Sequence, residues 1–323
     1  MIEQQYSYSR LMPQSVSELV ASNYDLTEIV SCVFYVFGLH DNYLLGTKSE
    51  RFIVRIYRGS WRSLEDINFE LDLLNFLKEK QQPVSAPLLT KNGCISFELD
   101  CPEGKRHGAV FSYAEGQPPD SNATAEQFTL LGRTVAMLHN DTENFRSPFK
   151  KDSLDLEHLV DRSLLVIKPY LSCSQCDFLA SVALTLKNNL EELDSEKLSQ
   201  VVCIGDVNMT NFHLTEDSKI TLFDFDQCGY GQRAFEIGKF FSSIKPEHKK
   251  AQVKQAFLKG YESVCALSES ERRAVPYYEL ASVIWVMSIR VDNAEKVGHS
   301  ALEAAFWCKR IGVLEAMMTE VTK

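Results

Sequence analysis

The chain has 323 residues, of which 45% are hydrophobic and 24% are charged, and its formal net charge is −10. These values are ordinary for folded globular proteins and argue against wholesale disorder. An acidic chain is a poor general binder of nucleic-acid phosphates, so we expect no nucleic-acid partner. The length exceeds that of one small hydrophobic core and predicts two lobes.

The sequence predicts a cytoplasmic protein without a membrane partner. It contains no run of about 18 apolar residues, which a membrane-spanning helix needs, and its N-terminus lacks the basic start and apolar core of a secretory signal. Nine cysteines are scattered along the chain, and we expect them to be reduced thiols. Cys173 and Cys176 form a C-x-x-C pair, but no second pair accompanies them, so zinc and redox roles are disfavoured.

The first third of the chain is predicted to be mostly β-strand. Apolar, β-branched runs predict strands over 29–37, 43–45 and 52–57, with polar turns between them. Further apolar runs predict strands over 84–89 and 109–113.

One helix interrupts these strands. Ser63 and Asp66 have the spacing of an N-terminal cap. Glu70 lies on the same face as the apolar residues that follow the cap, so its carboxylate needs a cationic partner to offset its desolvation. The apolar residues that recur at helical spacing are Ile67, Leu71, Leu74 and Leu77.

The rest of the chain is predicted to be mostly helical. Thr124 and Gln127 have the spacing of a capping box at the start of a helix. Further helices are expected over 156–171 and 176–192, then a short β segment over 201–225, and then helices to the C-terminus. The Gly- and Pro-containing segment 114–119 marks the predicted boundary between lobes 1–113 and 114–323.

Two polar clusters in the β segment have the spacing of a phosphoryl-transfer site. The strand ending near Ile204 leads into Gly-Asp206, and Asn211 follows five residues after that aspartate. A later strand ends at Asp224-Phe-Asp226. Phosphoryl transfer needs positioning and charge neutralisation more than covalent chemistry, and Mg²⁺ prefers such hard oxygen ligands.

These residues resemble the H-G-D-x-x-x-x-N and D-F-D motifs of the aminoglycoside phosphotransferase/choline kinase-like family. The resemblance extends to helix 131–140, strand 51–58 and hairpin 41–43. It implies an α+β, protein-kinase-like bilobal fold, with a small β-rich N-lobe and a mostly helical C-lobe. It also implies ATP, Mg²⁺ and a small-molecule hydroxyl acceptor such as an aminoglycoside, homoserine or choline.

The resemblance assigns roles to individual residues in the second lobe. Asp206 matches the catalytic base of the family, and Asn211 and Asp224 match its metal ligands. Asp226 either contacts the metal or substrate or is solvated in its loop. Glu236 is expected to hold the loop that follows the metal site.

In the first lobe, the resemblance predicts nucleotide-binding residues. Arg55 stands where many relatives carry a phosphate-binding lysine, and Glu70 matches the helix partner of that lysine. Asn42 falls in the phosphate-facing hairpin, although it also suits a simple turn. Ser112 and Tyr113 fall in the hinge that would meet the purine base.

The sequence departs from the family pattern at Ile204, where relatives have a histidine that braces the loop. This departure supports the alternative of a non-catalytic nucleotide-binding pseudokinase. A second alternative, which does not depend on Ile204, is a kinase acting on a protein or peptide side chain. His139 closes a helix and is expected to cap or pack rather than bind a ligand. Trp285 is expected to lie in the core, although it could also line a substrate pocket.

Overall fold

The structure is a computed structural model that describes residues 5–194, 198–245 and 248–321. The chain forms two compact units. Unit 1 consists of Met1–Gly116, Phe145–Lys151 and Thr221–Phe223. Unit 2 consists of Gln117–Asn144, Asp152–Ile220 and Asp224–Lys323.

Unit 1 is built on a five-stranded antiparallel sheet with the strand order β1-β2-β3-β5-β4. The first of these strands has the predicted bounds, three others overlap predicted runs with different ends, and the strand over Phe97–Cys101 corresponds to no predicted run. The strands are β1 (Ile29–Phe37), β2 (Asp41–Thr47), β3 (Arg51–Ile56), β4 (Phe97–Cys101) and β5 (Gly104–Ser112).

One face of this sheet forms the hydrophobic core of unit 1. The helix α1 (Pro13–Asn23) buries Val16 and Val20 against it. Because side chains alternate along a strand, every second residue of β2 and β3 contributes to this face. These core residues are Tyr43, Leu45, Phe52, Val54 and Ile56.

Helix α2 (Leu64–Glu79) begins at the predicted capping box. The Ser63 hydroxyl accepts a hydrogen bond from the backbone N–H of Asp66, and the Asp66 carboxylate accepts one from the N–H of Ser63. The predicted apolar stripe is buried, and Glu70 is buried with it.

The predicted strand over 84–89 is wrong. This segment makes only isolated bridges within unit 1, from Val84 to Leu222 and from Pro87 to Phe111. Pro83 and Pro87 have no backbone N–H to donate to a ladder, which explains why a regular strand does not form here.

Unit 2 is mostly helical, as predicted. The region over 156–171 is helical but irregular: it passes from a π-helical turn (Glu157–Arg162) through α4 to a 3₁₀ turn that contains Pro169. The helices are α3 (Ala125–Thr142), α4 (Ser163–Ile167), α5 (Cys173–Asp194), α6 (Arg233–Ser243), α7 (Lys250–Glu262), α8 (Glu269–Asp292), α9 (Ala294–Val297) and α10 (Ala304–Val321).

Four short strands interrupt these helices, and β6 pairs antiparallel with β9 inside unit 2. Within the described ranges, no helix is long and apolar enough to cross a membrane. The strands are β6 (Gln200–Cys203), β7 (Phe212–Leu214), β8 (Ile220–Leu222) and β9 (Gly229–Gln232).

Two glycines allow α3 and α7 to pack with their backbones in close approach. A Cβ at Gly132 would lie 2.0 Å from the carbonyl oxygen of Phe257, and one at Gly260 would lie 1.9 Å from that of Thr129. These are backbone atoms of the facing helix, so a side chain larger than hydrogen would force the two helices apart.

We expect Gly260→Ala to destabilise the protein by about 1 to 3 kcal/mol, because the added methyl group overpacks the α3–α7 contact. Urea unfolding of the wild-type and variant proteins measures the change. Gly312→Ala on α10 is the matched control, since a Cβ there meets nothing within 4 Å and alanine favours a helix over glycine. Equal losses in the two variants would contradict the close packing.

Candidate active site

Two polar loops of unit 2 meet the same end of a two-stranded ladder. Cys203, the last residue of β6, pairs with Gly229, the first residue of β9. The loop that carries Asp206 follows β6, and the loop that carries Asp224 and Asp226 precedes β9. The ladder therefore holds one end of each loop at the same place, as their alternation with short strands in the sequence suggested.

Gly205 brings the two loops into direct contact. Its φ is +82°, and a Cβ on it would lie 2.0 Å from the carbonyl oxygen of Gln227. Glycine meets both requirements, because it tolerates positive φ and leaves room for the facing backbone. Replacing it would push the Asp206 loop away from the loop that carries Asp226.

Helix α6 anchors the Asp206 loop through Glu236. The Glu236 carboxylate is fully buried and accepts backbone N–H groups from Ile204 and, at 3.1 Å, from Gly205. Glu236 holds a loop, but the prediction was wrong about which one: the loop held is the one that carries Asp206, and not the one that follows the metal site. Charge-assisted hydrogen bonds of this kind are stronger than neutral ones, so the loop is fixed through its main chain.

His139 lies behind this anchor. Its Nε2 is 3.6 Å from Glu236 Oε2, and its Nδ1 is 2.7 Å from the hydroxyl of Tyr261. Cys203 lies in the same cluster. One potential metal-ligand atom from each of His139, Glu236 and Cys203 lies within 4.8 Å of the other two. Burial, and then the Glu236 carboxylate, raise the pKa of the Cys203 thiol. The thiol is therefore protonated, and the carboxylate already accepts backbone N–H groups. The cluster packs against the loop and supports it, which is the role expected for His139.

Asp206 is held at both oxygens of its carboxylate. Lys239 Nζ lies 2.5 Å from Oδ1, and Asn211 Nδ2 lies 3.1 Å from Oδ2. The Asn211 amide also donates to the main-chain oxygen of Asp206 at 2.9 Å. The Asp206 side chain remains about one-third exposed (32%), so it is fixed in orientation and still accessible to a substrate.

The other loop has an unusual backbone at Asp224, whose φ is +64°. Left-handed φ values are uncommon for residues other than glycine and often occur at functional sites. Asp224 is partly exposed, whereas Asp226 is buried and accepts a hydrogen bond from Gln227 at 3.2 Å.

In unit 1, the predicted ion pair between Arg55 and Glu70 is present. Arg55 Nη1 lies 2.9 Å from Glu70 Oε1, and both side chains are buried. Arg55 Nε donates to Asn42 Oδ1 at 3.2 Å, and the Tyr57 hydroxyl donates to Glu70 Oε2 at 3.0 Å. Glu70 therefore has the cationic partner that its place on the buried stripe requires, and Asn42 shares that partner.

Ser112 and Tyr113 lie at the end of β5. Ser112 is bound to the neighbouring segment: its N–H donates to Ala86 O at 2.9 Å, and its carbonyl accepts the Ser85 hydroxyl at 2.6 Å. The guanidinium of Arg51 lies 4.1 Å from the centre of the Tyr113 ring. Burial is the main cause that raises the pKa of the Tyr113 hydroxyl.

A family sequence pattern that matches most of the chain identifies the family of this protein. The sequence pattern of the phosphotransferase enzyme family (APH) matches residues 38–289. The chain belongs to this family. The predicted family, kinase-like fold and enzyme class are therefore confirmed, and the chain is a phosphotransferase.

Relatives of this phosphotransferase span nearly the same length. An uncharacterised protein of Synechocystis sp. is 33% identical over 312 residues, which are 96% of this chain and 86% of the relative. A homoserine kinase of Neisseria meningitidis serogroup B is 25% identical over 271 residues, covering 82% of this chain and 85% of that enzyme.

Solved structures of kinases share the fold of this phosphotransferase. A microcompartment-associated aminopropanol kinase superposes with a TM-score of 0.77 at 19% identity, covering 95% of this chain and 98% of that one. An amicoumacin kinase in complex with AMP-PNP, Ca²⁺ and its antibiotic superposes with a TM-score of 0.75 at 20% identity, covering 94% and 93%.

Sequence reasoning missed two polar partners in this phosphotransferase. Lys239 was not identified because it lies 33 residues after Asp206, on a helix whose contact with the Asp206 loop is set by tertiary packing. Its spacing of three residues from Glu236 was the available signal, since it places both side chains on one helix face. The second missed partner is Tyr57, which follows Arg55 by two residues. Because side chains alternate along an extended chain, this spacing places both side chains on the same side.

We expect Glu236→Gln to lower the free energy of unfolding by about 1 to 3 kcal/mol, because the loop N–H groups lose a charged acceptor. Urea unfolding measures the loss, and limited proteolysis tests whether cleavage increases within 204–211. Glu216→Gln, in an exposed turn of the same unit, is the control. A Glu236 variant as stable as this control would show that the carboxylate does not anchor the loop.

Proposed function

We propose that this phosphotransferase is a magnesium-dependent kinase that transfers the γ-phosphate of ATP to the hydroxyl of a small amino alcohol. The observation that carries the proposal is the Asp206 carboxylate, held at both oxygens and still partly exposed at the start of the D-x-x-x-x-N loop. Homoserine and aminopropanol, the substrates in the names of two similar proteins, both combine a hydroxyl with an amine. The net charge of −10 also suits a cationic acceptor.

In the proposed reaction, Asp206 accepts a hydrogen bond from the acceptor hydroxyl and orients its oxygen. The O–H bond breaks as the proton moves to the carboxylate, and the oxygen forms a bond to the γ-phosphorus. The bond from that phosphorus to the β,γ-bridging oxygen breaks, and its electron pair stays with ADP. The fixed geometry of Asp206 suits this role, because positioning supplies most of the catalysis in phosphoryl transfer.

The residues proposed to hold Mg²⁺ have suitable chemistry. The Asn211 amide directs its NH₂ group to Asp206, so its Oδ1 is on the other side of the amide and is the atom suited to a hard cation. Asp224 would supply an anionic oxygen, and Asp226 is a further candidate. Bound Mg²⁺ would neutralise charge on the phosphate oxygens.

One face of the sheet in unit 1 is proposed to bind the nucleotide. Val33, Leu44, Ile53 and Phe111 pair across four strands and form an apolar row on the face opposite the α1 core. Val33 remains 50% exposed, which suits a surface that covers a purine base.

A polar pair lies next to this row on the same face. Asn42 is two residues from Leu44 on β2 and pairs with Arg55, which is two residues from Ile53 on β3. This arrangement would place phosphates beside Arg55 when the base contacts the apolar row. The N–H of Ser112 is donated to Ala86, so hydrogen bonds to the base would come from Tyr113 and the residues that follow it.

We expect the purified protein to transfer phosphate from ATP to at least one member of an amino-alcohol panel, and chelation of Mg²⁺ to stop the transfer. Asp206→Asn should lower kcat by about 10²- to 10⁴-fold, the usual contribution of a positioned acid or base. Nucleotide binding by calorimetry should persist in this variant. Bound ATP without transfer to any acceptor would favour the pseudokinase, and labelling of a protein band in a cell lysate would favour a protein acceptor.

We expect Arg55→Gln to raise the KM for ATP by roughly 10- to 100-fold, the effect of losing charged hydrogen bonds to phosphate. The KM for the acceptor should change little. Arg55→Lys should retain most of the affinity for ATP, since it keeps the charge beside Glu70. Lys105→Gln removes an exposed cation paired with Glu98 in the same sheet and serves as the control. An unchanged KM for ATP in Arg55→Gln would exclude Arg55 from the nucleotide site.

A further inference from the structure

Lys239 carries a buried positive charge that is directed at the proposed reaction centre. Its side chain is 4% exposed, and its Nζ lies 2.5 Å from Oδ1 of Asp206. Within the described residues, Asp206 is the hydrogen-bond acceptor of this ammonium group. A buried ammonium is costly unless it is paired, so the position of Lys239 depends on the charge of Asp206.

The placement of Lys239 follows from the geometry of α6. Glu236 and Lys239 are three residues apart and lie on the same helix face. Glu236 accepts the N–H groups of residues 204 and 205, and Lys239 contacts the side chain of residue 206. One helix face therefore holds three successive residues of the loop, two through the main chain and the third through its carboxylate.

Stability does not explain this lysine. Replacing a buried ion pair by apolar residues of similar size is often neutral or stabilising, and α6 already anchors the loop through Glu236. Lys239 adds a constraint on the direction of the Asp206 carboxylate. Together with Asn211 on Oδ2, it fixes the plane of the carboxylate by one donor on each oxygen.

We propose that Lys239 is a positioning residue for phosphoryl transfer, which acts by holding Oδ1 of Asp206 so that the carboxylate addresses the acceptor hydroxyl in one orientation. Each carboxylate oxygen has two lone pairs, so the hold leaves one on each oxygen for the substrate. This inference rests on the proposed function, because it assigns Asp206 the task of receiving that hydroxyl.

The kinetic test compares Lys239→Met, which keeps the length of the side chain, with Lys239→Arg, which keeps its charge. We expect Lys239→Met to lower kcat by roughly 10- to 100-fold, the effect of a small misplacement at a reacting group. The KM values for ATP and acceptor should stay within about threefold, because the proposed binding residues are untouched. Lys239→Arg should retain more of kcat. An unchanged or raised kcat in Lys239→Met would overturn the proposal.

A double-mutant cycle with Asp206→Asn tests whether Lys239 acts through Asp206. If it does, adding Lys239→Met to Asp206→Asn causes little further loss of kcat in single-turnover assays. Losses that multiply would overturn the proposal. The control is Lys254→Met, which removes a partly buried ion pair with Glu279 elsewhere in unit 2 and should leave kcat unchanged.

The same cycle measured by thermal unfolding needs no activity, so it separates failure of this inference from failure of the proposed function. Asp206→Asn should lower Tm because it leaves the buried ammonium facing a neutral amide, and Lys239→Met should restore part of that loss. If no acceptor is phosphorylated but Tm is restored, the ion pair stands and the kinase assignment fails. If Lys239→Met lowers Tm equally in both backgrounds, the ion pair itself is refuted.

Discussion

The hydrogen bonds from the main chain of residues 204 and 205 to the buried Glu236 carboxylate are the contacts on which the active-site loop depends. They fix the loop to a helix through backbone N–H groups, which every residue type except proline carries. The side chain at position 204 can therefore be apolar without releasing the loop. Ile204, at 2% exposure, packs in the interior at the position where the motif that this loop resembles has histidine, so this departure leaves the main-chain anchor of the loop intact.

The sheet of unit 1 separates packing from recognition by its two faces. The face that carries Val54 forms the hydrophobic core together with α1, and the face that carries Arg55 is polar at one row and apolar at the next. A shift of one residue in the register between β2 and β3 would exchange these faces. The core contacts that set the register thus also set the distance between Arg55 and Asn42, and the chain cannot change one without the other.

The sequence predicted the features that depend on local pattern. The β-branched run over 29–37 forms the strand with those bounds, and the five-residue spacing in the D-x-x-x-x-N loop brings Asn211 to Asp206. Features set by tertiary packing escaped prediction. In the strand over Phe97–Cys101, apolar residues alternate with acidic ones, and the strand lies at the edge of the sheet. Its apolar signal in the sequence is therefore weak. The contact of Lys239 requires knowledge of which helix meets the loop.

The three-residue spacing on α6 has a consequence for comparing members of the family. A G-D-x-x-x-x-N loop followed by a helix with E-x-x-K predicts a chain in which the helix lysine holds the carboxylate of the loop aspartate, as Lys239 holds Asp206 here. A chain that has the helix glutamate but a neutral side chain three positions later lacks the lysine contact. Its aspartate carboxylate would be oriented by the loop asparagine and by the substrate. The E-x-x-K spacing can be read from a single sequence, so it indicates whether a chain has a lysine placed to hold this carboxylate.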